Sequence, residues 1–169
     1  VGERYIVIIL LSVLITTFPI WSPYFDFIVT LGFIKARFYD PLHERIEAAG
    51  GRLATVIAST AHVSQHATVQ YGTVILHHAC VNAGASIGKG CIINTFANIE
   101  HDALIGDYCH ISTGAMVNGD CRIGKHTFLG SQSVMVNGTE IVAGCVIAAG
   151  TVIRKNILYK GIYSGNPAF

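Results

Sequence analysis

Charge is scarce in this chain of 169 residues, and neither sign predominates. Charged residues make up 12% of the sequence, and the formal net charge is +1 at pH 7. A nearly neutral chain has no electrostatic reason to bind nucleic acid or an anionic membrane surface. Nucleic acid is therefore not expected among its partners.

The five cysteines lack the spacing of a disulfide framework or of a metal site. Four of them recur at one position of a six-residue pattern that runs through the chain, which indicates packing in a core. Unpaired thiols of this kind are typical of a reducing compartment, and we expect a cytoplasmic protein. The four are Cys91, Cys109, Cys121 and Cys145.

Residues 1–25 are largely apolar and are not assigned to a structure from the sequence. No charged residue occurs from Tyr5 to Phe25, and a membrane span needs about 20 residues. Pro19 and Pro23 interrupt the run late, and no small-residue cleavage site follows it. Buried strands explain the run as well as a membrane anchor does. Both remain open, with membrane contact through residues 5–25 not favoured.

A repeat of six residues dominates the rest of the chain. Every sixth residue from Val63 to Ile153 is aliphatic or Met, and two residues before each lies a small residue, from Ala61 to Thr151. Neither a helix nor an ordinary strand has this period, whereas a coil with three flat walls does, with one short strand on each wall. The aliphatic side chain points inward, and the small residue occupies a crowded position.

The repeat predicts a left-handed parallel β-helix. Sixteen hexads at three per turn correspond to about five turns, from about Ser59 to about Ile153. The closing GIYSGNPAF is expected to be a terminating loop. The predicted domains are a partial α/β unit over residues 1–58 and the β-helix over residues 59–169.

Residues 26–58 predict a strand, a helix and a second strand. The strands are Asp26 to Gly32 and Leu53 to Ile57. Asp40-Pro41 is typical of a helix start, and Gly50-Gly51 of a helix end. Phe38, Leu42 and Ile46 fall on one face of that helix. This order is found in nucleotide-binding (Rossmann-like) α/β domains, although the chain contains no G-x-G-x-x-G.

The candidate catalytic residues lie where polar side chains interrupt the hexapeptide pattern. His101 follows an inward aliphatic residue by two positions, so it should project outward near a corner, with Asp102 beside it. An imidazole held by a carboxylate is a general base near neutral pH. His110, nine residues later, could face the same groove. Solvated polar residues on a coil wall are the alternative interpretation.

The segment INTFANIEHDALIGDYCHISTGA resembles the sugar O- and N-acetyltransferases of the sialic acid O-acetyltransferase type. In pattern it is similar to the bacterial enzymes that acetylate UDP-4-amino-sugars. The resemblance extends from about Tyr24 to Phe169, and its specific part is IEHD-x-x-IGD-x-x-H. It implies transfer of acetyl from acetyl-CoA to a sugar or nucleotide sugar, without a metal, in a homotrimer with active sites between neighbouring coils.

The resemblance also implies roles for individual residues. His101 is the expected base, and Asp102 raises its basicity. Acetyl-CoA is expected to contact four positions, and a backbone amide among them could polarise the thioester carbonyl. Asn94 matches a position close to the sugar. The four positions are His110, Gly119, Ser131 and Ala149.

The N-terminal part departs from the family pattern. Relatives carry a glycine-rich nucleotide-binding loop and a polar pair after a glycine, whereas this chain has an apolar run and reads Gly32-Phe33-Ile34-Lys35-Ala36-Arg37. Gly32 and Arg37 are the candidate substrate-binding residues that remain. The acceptor, and the choice between amine and hydroxyl, are left open by the sequence.

Two other functions compete with acetyl transfer. A zinc carbonic anhydrase of the γ type needs two His about five residues apart, and no pair among the eight His has that separation. A non-catalytic coil for assembly or membrane tethering is the second rival, supported by the apolar N-terminus. In that case the His101–Asp102 pair would have no chemical role.

Overall fold

A computed structural model of the chain describes residues 5–9, 25–29 and 39–167. It contains a small N-terminal α/β unit followed by a parallel β-solenoid with three walls. Within the described residues, the N-terminal unit is a parallel sheet in the order β1-β2-β3 with one helix between its second and third strands. Its elements are β1 (Tyr5–Ile9), β2 (Phe25–Val29), α1 (Tyr39–Ala48) and β3 (Arg52–Leu53).

Each wall of the solenoid is a parallel sheet of two-residue strands. Wall one has seven strands: β4 (Val56–Ile57), β7 (Val74–Ile75), β10 (Ile92–Ile93), β13 (His110–Ile111), β16 (Phe128–Leu129), β19 (Val146–Ile147) and β21 (Ile162–Tyr163). Wall two has six: β5 (His62–Val63), β8 (Cys80–Val81), β11 (Asn98–Ile99), β14 (Met116–Val117), β17 (Val134–Met135) and β20 (Val152–Ile153). Wall three has five: β6 (Thr68–Val69), β9 (Ser86–Ile87), β12 (Leu104–Ile105), β15 (Arg122–Ile123) and β18 (Glu140–Ile141).

The second residue of each strand from β7 to β20 is buried in the core, as the hexapeptide pattern predicts. Ile93 pairs with Ile75 in the turn before it and with Ile111 in the turn after it, and all three are fully buried. Each turn of the coil at these strands is therefore three hexads long. Burial of these stacked side chains supplies the main stabilising free energy, because a single turn cannot bury its own apolar face.

The small position of the repeat often carries a hydrogen-bond donor, which explains its Cys and Thr residues. Thr73 Oγ1 donates to the Gly88 carbonyl at 2.8 Å. The Cys91 and Cys109 thiols donate to the Gly106 and Gly124 carbonyls, each at 3.2 Å. The four repeat cysteines are free and buried, so the packing interpretation is confirmed. Burial raises the pKa of Cys109 to about 12.

The walls meet at three tight corners, where a residue in the left-handed region is common. The first corner joins walls one and two, the second joins walls two and three, and the third leads back to wall one. Glycine takes this conformation at many corners, for example Gly84 with φ 75°. Asp102 takes it at the second corner with φ 60°, in keeping with the tolerance of Asp for this region.

Three sequence predictions about the extent of the coil are wrong. The solenoid has about six turns rather than about five, because it begins at β4, before Ser59, and continues to β21. The expected terminating loop contains Ile162–Tyr163, which completes the open edge of β19. The expected strand Leu53 to Ile57 is divided, since β3 pairs with β2 whereas β4 pairs with β7. The division into residues 1–58 and 59–169 stays a prediction.

The N-terminal unit packs against wall one. Phe27, Val29, Leu42 and Ile46 form its core, and Ile92 of the coil packs against them. The strand–helix–strand order and the buried face of Leu42 and Ile46 are confirmed, while Phe38 lies outside the described residues. The likeness to nucleotide-binding domains stays a prediction.

The start of the apolar run is a strand. Tyr5–Ile9 pairs in parallel with Phe25–Val29, whereas residues 10–24 lie outside the described part. Within the described residues, no helix has the length and apolar character needed to cross a bilayer.

Candidate active site

The second corner of the coil carries His101 and Asp102, between β11 and β12. The backbone N–H of Asp102 donates to the Ala83 carbonyl of the preceding turn at 3.1 Å. The His101 carbonyl accepts the backbone N–H of Asp120 from the following turn, also at 3.1 Å. Neighbouring turns therefore hold the backbone of the pair from both sides.

The two side chains are hydrogen-bonded to each other and open to solvent. His101 Nδ1 lies 2.9 Å from Asp102 Oδ2, and the side chains are 56% and 60% exposed. Because an ionised carboxylate only accepts, Nδ1 carries the shared hydrogen and Nε2 is left to take a proton from a substrate. This hydrogen bond raises the pKa of His101 above its ordinary value. The pair has the properties of an accessible general base.

Glu100 is a neighbour of the pair that sequence reasoning missed. Its two carboxylate oxygens accept hydrogen bonds from the side-chain amides of Asn82, at 2.9 Å, and Asn98, at 2.8 Å. The sequence signal for this contact is the spacing of Asn82 and Glu100, which are one turn of 18 residues apart. Glu100 is thus fixed in place beside His101 by two donors.

His110 lies elsewhere in the same chain, on the outer face of wall one. It pairs with Ile92 and Phe128 in the adjacent turns. His110 follows His101 by nine residues, which is half of a turn. Within one chain the two imidazoles therefore do not share a corner. Burial lowers the pKa of His110 to about 4, so this imidazole is neutral near pH 7. Asn94 Nδ2 lies 3.3 Å from His110 Nε2, which brings these two predicted residues together.

Ser131 and Ala149 lie at the first corner, one turn apart. The Ser131 hydroxyl is 3.0 Å from that of Ser112, and the Ser131 carbonyl accepts the Gly150 N–H at 2.8 Å. The last turn of wall one is 16 residues long, because Ile147 pairs with Tyr163, so Gly165 occupies the next equivalent position after Ala149. These positions follow the axis of the coil towards its C-terminal end.

Gly119 lies at the second corner, away from the other predicted acetyl-CoA contacts. It is the residue one turn after His101, and the imidazole lies directly over it. Gly32 and Arg37 are outside the described residues, so their substrate-binding roles stay predictions. In the described part of the chain, no group of three or more His, Cys, Asp or Glu is placed to hold a metal ion.

Comparisons with known proteins identify the class of this coil. The family model described as bacterial transferase hexapeptide (six repeats) matches residues 84–119, and the hexapeptide repeat of succinyl-transferase matches residues 121–155. A comparison with curated protein sequences gave no match.

Solved structures are similar over most of the chain. The acetyltransferase domain of PglB from Neisseria gonorrhoeae is 34% identical with a TM-score of 0.83, and the match covers 86% of this chain and 70% of that one. The same domain in complex with acetyl coenzyme A is 32% identical with a TM-score of 0.83, covering 92% and 74%. A mutant of perosamine N-acetyltransferase from Caulobacter crescentus, in complex with CoA and GDP-perosamine, is 26% identical with a TM-score of 0.81, covering 85% and 68%. The chain belongs to the hexapeptide-repeat sugar acetyltransferases.

This acetyltransferase also has a cavity at the C-terminal end of its coil, which sequence reasoning missed. Its volume is about 530 Å³. Two cationic side chains and two tyrosines contribute to its lining, and it reaches Pro167 near the end of the described chain. The residues concerned are Arg154, Lys155, Tyr159 and Tyr163. The combination suits a ligand with both phosphate and aromatic groups.

Proposed function

We propose that this protein transfers the acetyl group of acetyl-CoA to an amine or hydroxyl of a sugar or nucleotide sugar, with His101 as general base. The observation that carries the proposal is the His101–Asp102 pair, hydrogen-bonded at 2.9 Å and open to solvent on a coil of the sugar acetyltransferase family. The PglB domain occurs with acetyl coenzyme A and the perosamine enzyme with CoA and GDP-perosamine, and this supports the same classes of substrate here.

The proposed reaction is direct attack on the thioester. As the acceptor nitrogen or oxygen bonds to the acetyl carbon, Nε2 of His101 takes its proton, and Asp102 stabilises the imidazolium through Nδ1. The tetrahedral intermediate then loses the thiolate of CoA when the carbon–sulfur bond breaks, and the imidazolium returns the proton to sulfur. A backbone N–H near the developing oxyanion stabilises it, and Gly119 is the proposed source at this corner.

Acetyl-CoA is proposed to lie along the first corner. Ser131 and Ala149 follow one another there towards the C-terminal end of the coil, where Arg154 and Lys155, which follow β20 of wall two, contribute to the cavity. These cations fit the phosphates of the cofactor, and Tyr159 fits its adenine ring. At the other end, neutral His110 is proposed to contact the thioester region, with Asn94 close to the sugar.

A complete site then requires two copies of the chain. Within one chain His101 is at the second corner, whereas His110, Ser131 and Ala149 are on wall one and the first corner. We propose a homotrimer of left-handed coils in which the second corner of one copy faces the first corner of the next. The N-terminal unit, with Gly32 and Arg37, is proposed to bind the sugar or its nucleotide, and the setting is proposed to be surface-glycan biosynthesis in a bacterial cytoplasm.

A thiol-release assay tests this function. Acetyl-CoA is offered with UDP-, GDP- and dTDP-amino-sugars and with free sialic acid, and release of CoA thiol is measured. We expect one acceptor class to be turned over, and His101→Ala to lower kcat by about 10²–10⁴-fold, the usual loss for a general base. His62→Ala, at an exposed position of wall two, is the matched control and should keep the wild-type rate. Near wild-type kcat in His101→Ala would refute the proposal and favour a non-catalytic assembly module.

A further inference from the structure

Glycines lie one turn before and one turn after the catalytic pair. Gly119 follows His101 by one turn, and Gly84 precedes Asp102 by one turn. A Cβ atom on Gly119 would lie 2.6 Å from both Cε1 and Nε2 of His101. A Cβ atom on Gly84 would overlap Oδ1 of Asp102 and lie 3.1 Å from its Cγ. At each glycine, the distance from the added Cβ to the nearest side-chain atom is therefore shorter than a van der Waals contact of carbon allows.

We infer that Gly84 and Gly119 are positioning residues for the base, because the space above each is filled by one member of the His101–Asp102 pair. The imidazole lies on the backbone of Gly119, towards the C-terminal turn, and the carboxylate lies against Gly84, towards the N-terminal turn. The two contacts set the tilt at which Nδ1 meets Oδ2. This inference rests on the proposed function of His101, but its geometry can be measured without turnover.

Gly119 is not needed for the backbone conformation of its corner. It is not among the glycines with positive φ, so an alanine meets no conformational barrier there. The three atoms nearest to its added methyl all belong to the His101 ring. That ring is more than half exposed and can swing into solvent. Gly119→Ala is therefore expected to displace the imidazole and break its hydrogen bond to Asp102 while the coil stays folded.

Gly84 differs from Gly119 and has its own matched control. Its φ is 75°, so alanine there adds strain as well as the overlap with Asp102. Gly138 occupies the same position of the second corner three turns later, with φ 67° and no atom within 4 Å of an added Cβ. Gly138→Ala thus reproduces the strain without the contact, and the difference between the two variants isolates the effect on Asp102.

The test combines ring titration with steady-state kinetics. The pKa of the His101 ring is followed by NMR in wild type, Gly119→Ala, Gly84→Ala and Gly138→Ala without substrates. We expect the raised pKa to fall towards the ordinary value of about 6.5 in the first two variants and to stay raised in Gly138→Ala. In the kinetic assay, kcat should fall by about 100-fold in the first two, since a misplaced base loses its alignment.

Other results of these measurements would overturn or support the positioning role of the two glycines. An unchanged ring pKa in Gly119→Ala, with only the KM for acetyl-CoA raised, would overturn it and assign Gly119 to cofactor contact alone. If no acceptor is turned over by wild type, the proposed function fails while the titration still tests the positioning. If Gly119→Ala does not fold, His101→Ala/Gly119→Ala is prepared. Folding of the double variant supports the inference, because the ring was the obstacle, and its failure to fold overturns it.

Discussion

At the scale of single residues, Asp102 sets the protonation of His101. The carboxylate accepts from Nδ1 at 2.9 Å and raises the pKa of the imidazole. A general base must be neutral to accept a proton, so the rate should rise with pH as His101 loses its proton. The raised pKa places that rise at a higher pH than an unassisted histidine would.

The pH profile of Asp102→Asn tests this coupling. The amide cannot stabilise the imidazolium as the carboxylate does, so the acidic limb of kcat/KM should move to lower pH, towards about 6.5. The plateau should also fall, but less than in His101→Ala, because the imidazole is still present. The same acceptor is used for both proteins, so its own titration is common to both profiles. A limb at the wild-type pH would contradict the assigned partner.

The sequence predicts part of this arrangement and misses the rest for a geometric reason. His101 and Asp102 are adjacent, so their contact at an exposed corner was predictable and is confirmed, whereas their catalytic roles stay predictions. The contact of Glu100 with Asn82 and that of Gly119 with His101 each join residues one turn apart. They require the register between turns to be known before a neighbour can be named. His110 was expected near His101 by distance along the chain, but half a turn carries it to another wall.

At the scale of the structural element, a buried donor recurs at the small position of several hexads. Cys109 donates to the Gly124 carbonyl. Thr73 donates in the same way to the Gly88 carbonyl, and Thr127 to the Val142 carbonyl. The repeat in the sequence predicted the crowding at this position but not the hydrogen bond. The acceptor lies most of a turn further along the chain and becomes a neighbour only when the coil closes.

Cys109→Thr and Cys109→Val form a matched pair for this hydrogen bond. The two side chains have similar volume, but only threonine can donate to the Gly124 carbonyl. The free energy of unfolding should be lower for the valine variant than for the threonine variant by about 1 kcal/mol. Chemical denaturation with a common slope measures the difference. Equal stabilities would show that packing alone selects the residue at this position.

The ends of the coil show where local pattern is a weaker guide. The closing segment contains Gly, Asn and Pro, which are typical of loops, yet Ile162–Tyr163 pairs with β19. An open sheet edge with unpaired backbone groups overrides the local preference of these residues. The same competition divides Leu53 to Ile57, since its two ends meet different sheet edges.

At the scale of the whole molecule, the proposed site is divided between two corners that one chain keeps apart. His101 and Asp102 lie at the second corner, and Ser131 and Ala149 lie at the first. A neighbouring copy brings the two together in the proposed trimer. Two inactive variants, each damaged at one corner, should therefore restore activity when they assemble together.

Subunit mixing is the most direct measurement of this account. His101→Ala removes the base, and Ser131→Trp blocks the first corner; each homotrimer alone should be inactive. Random mixing at equal amounts should restore about one quarter of the wild-type sites, since each needs the intact corner of two specified neighbours. The control mixes His101→Ala with the double variant His101→Ala/Ser131→Trp and should stay inactive. Recovery of about one quarter of the wild-type activity supports a site in which one copy supplies the base and another copy binds acetyl-CoA at its first corner. No recovery in trimers shown to be mixed would contradict this shared site.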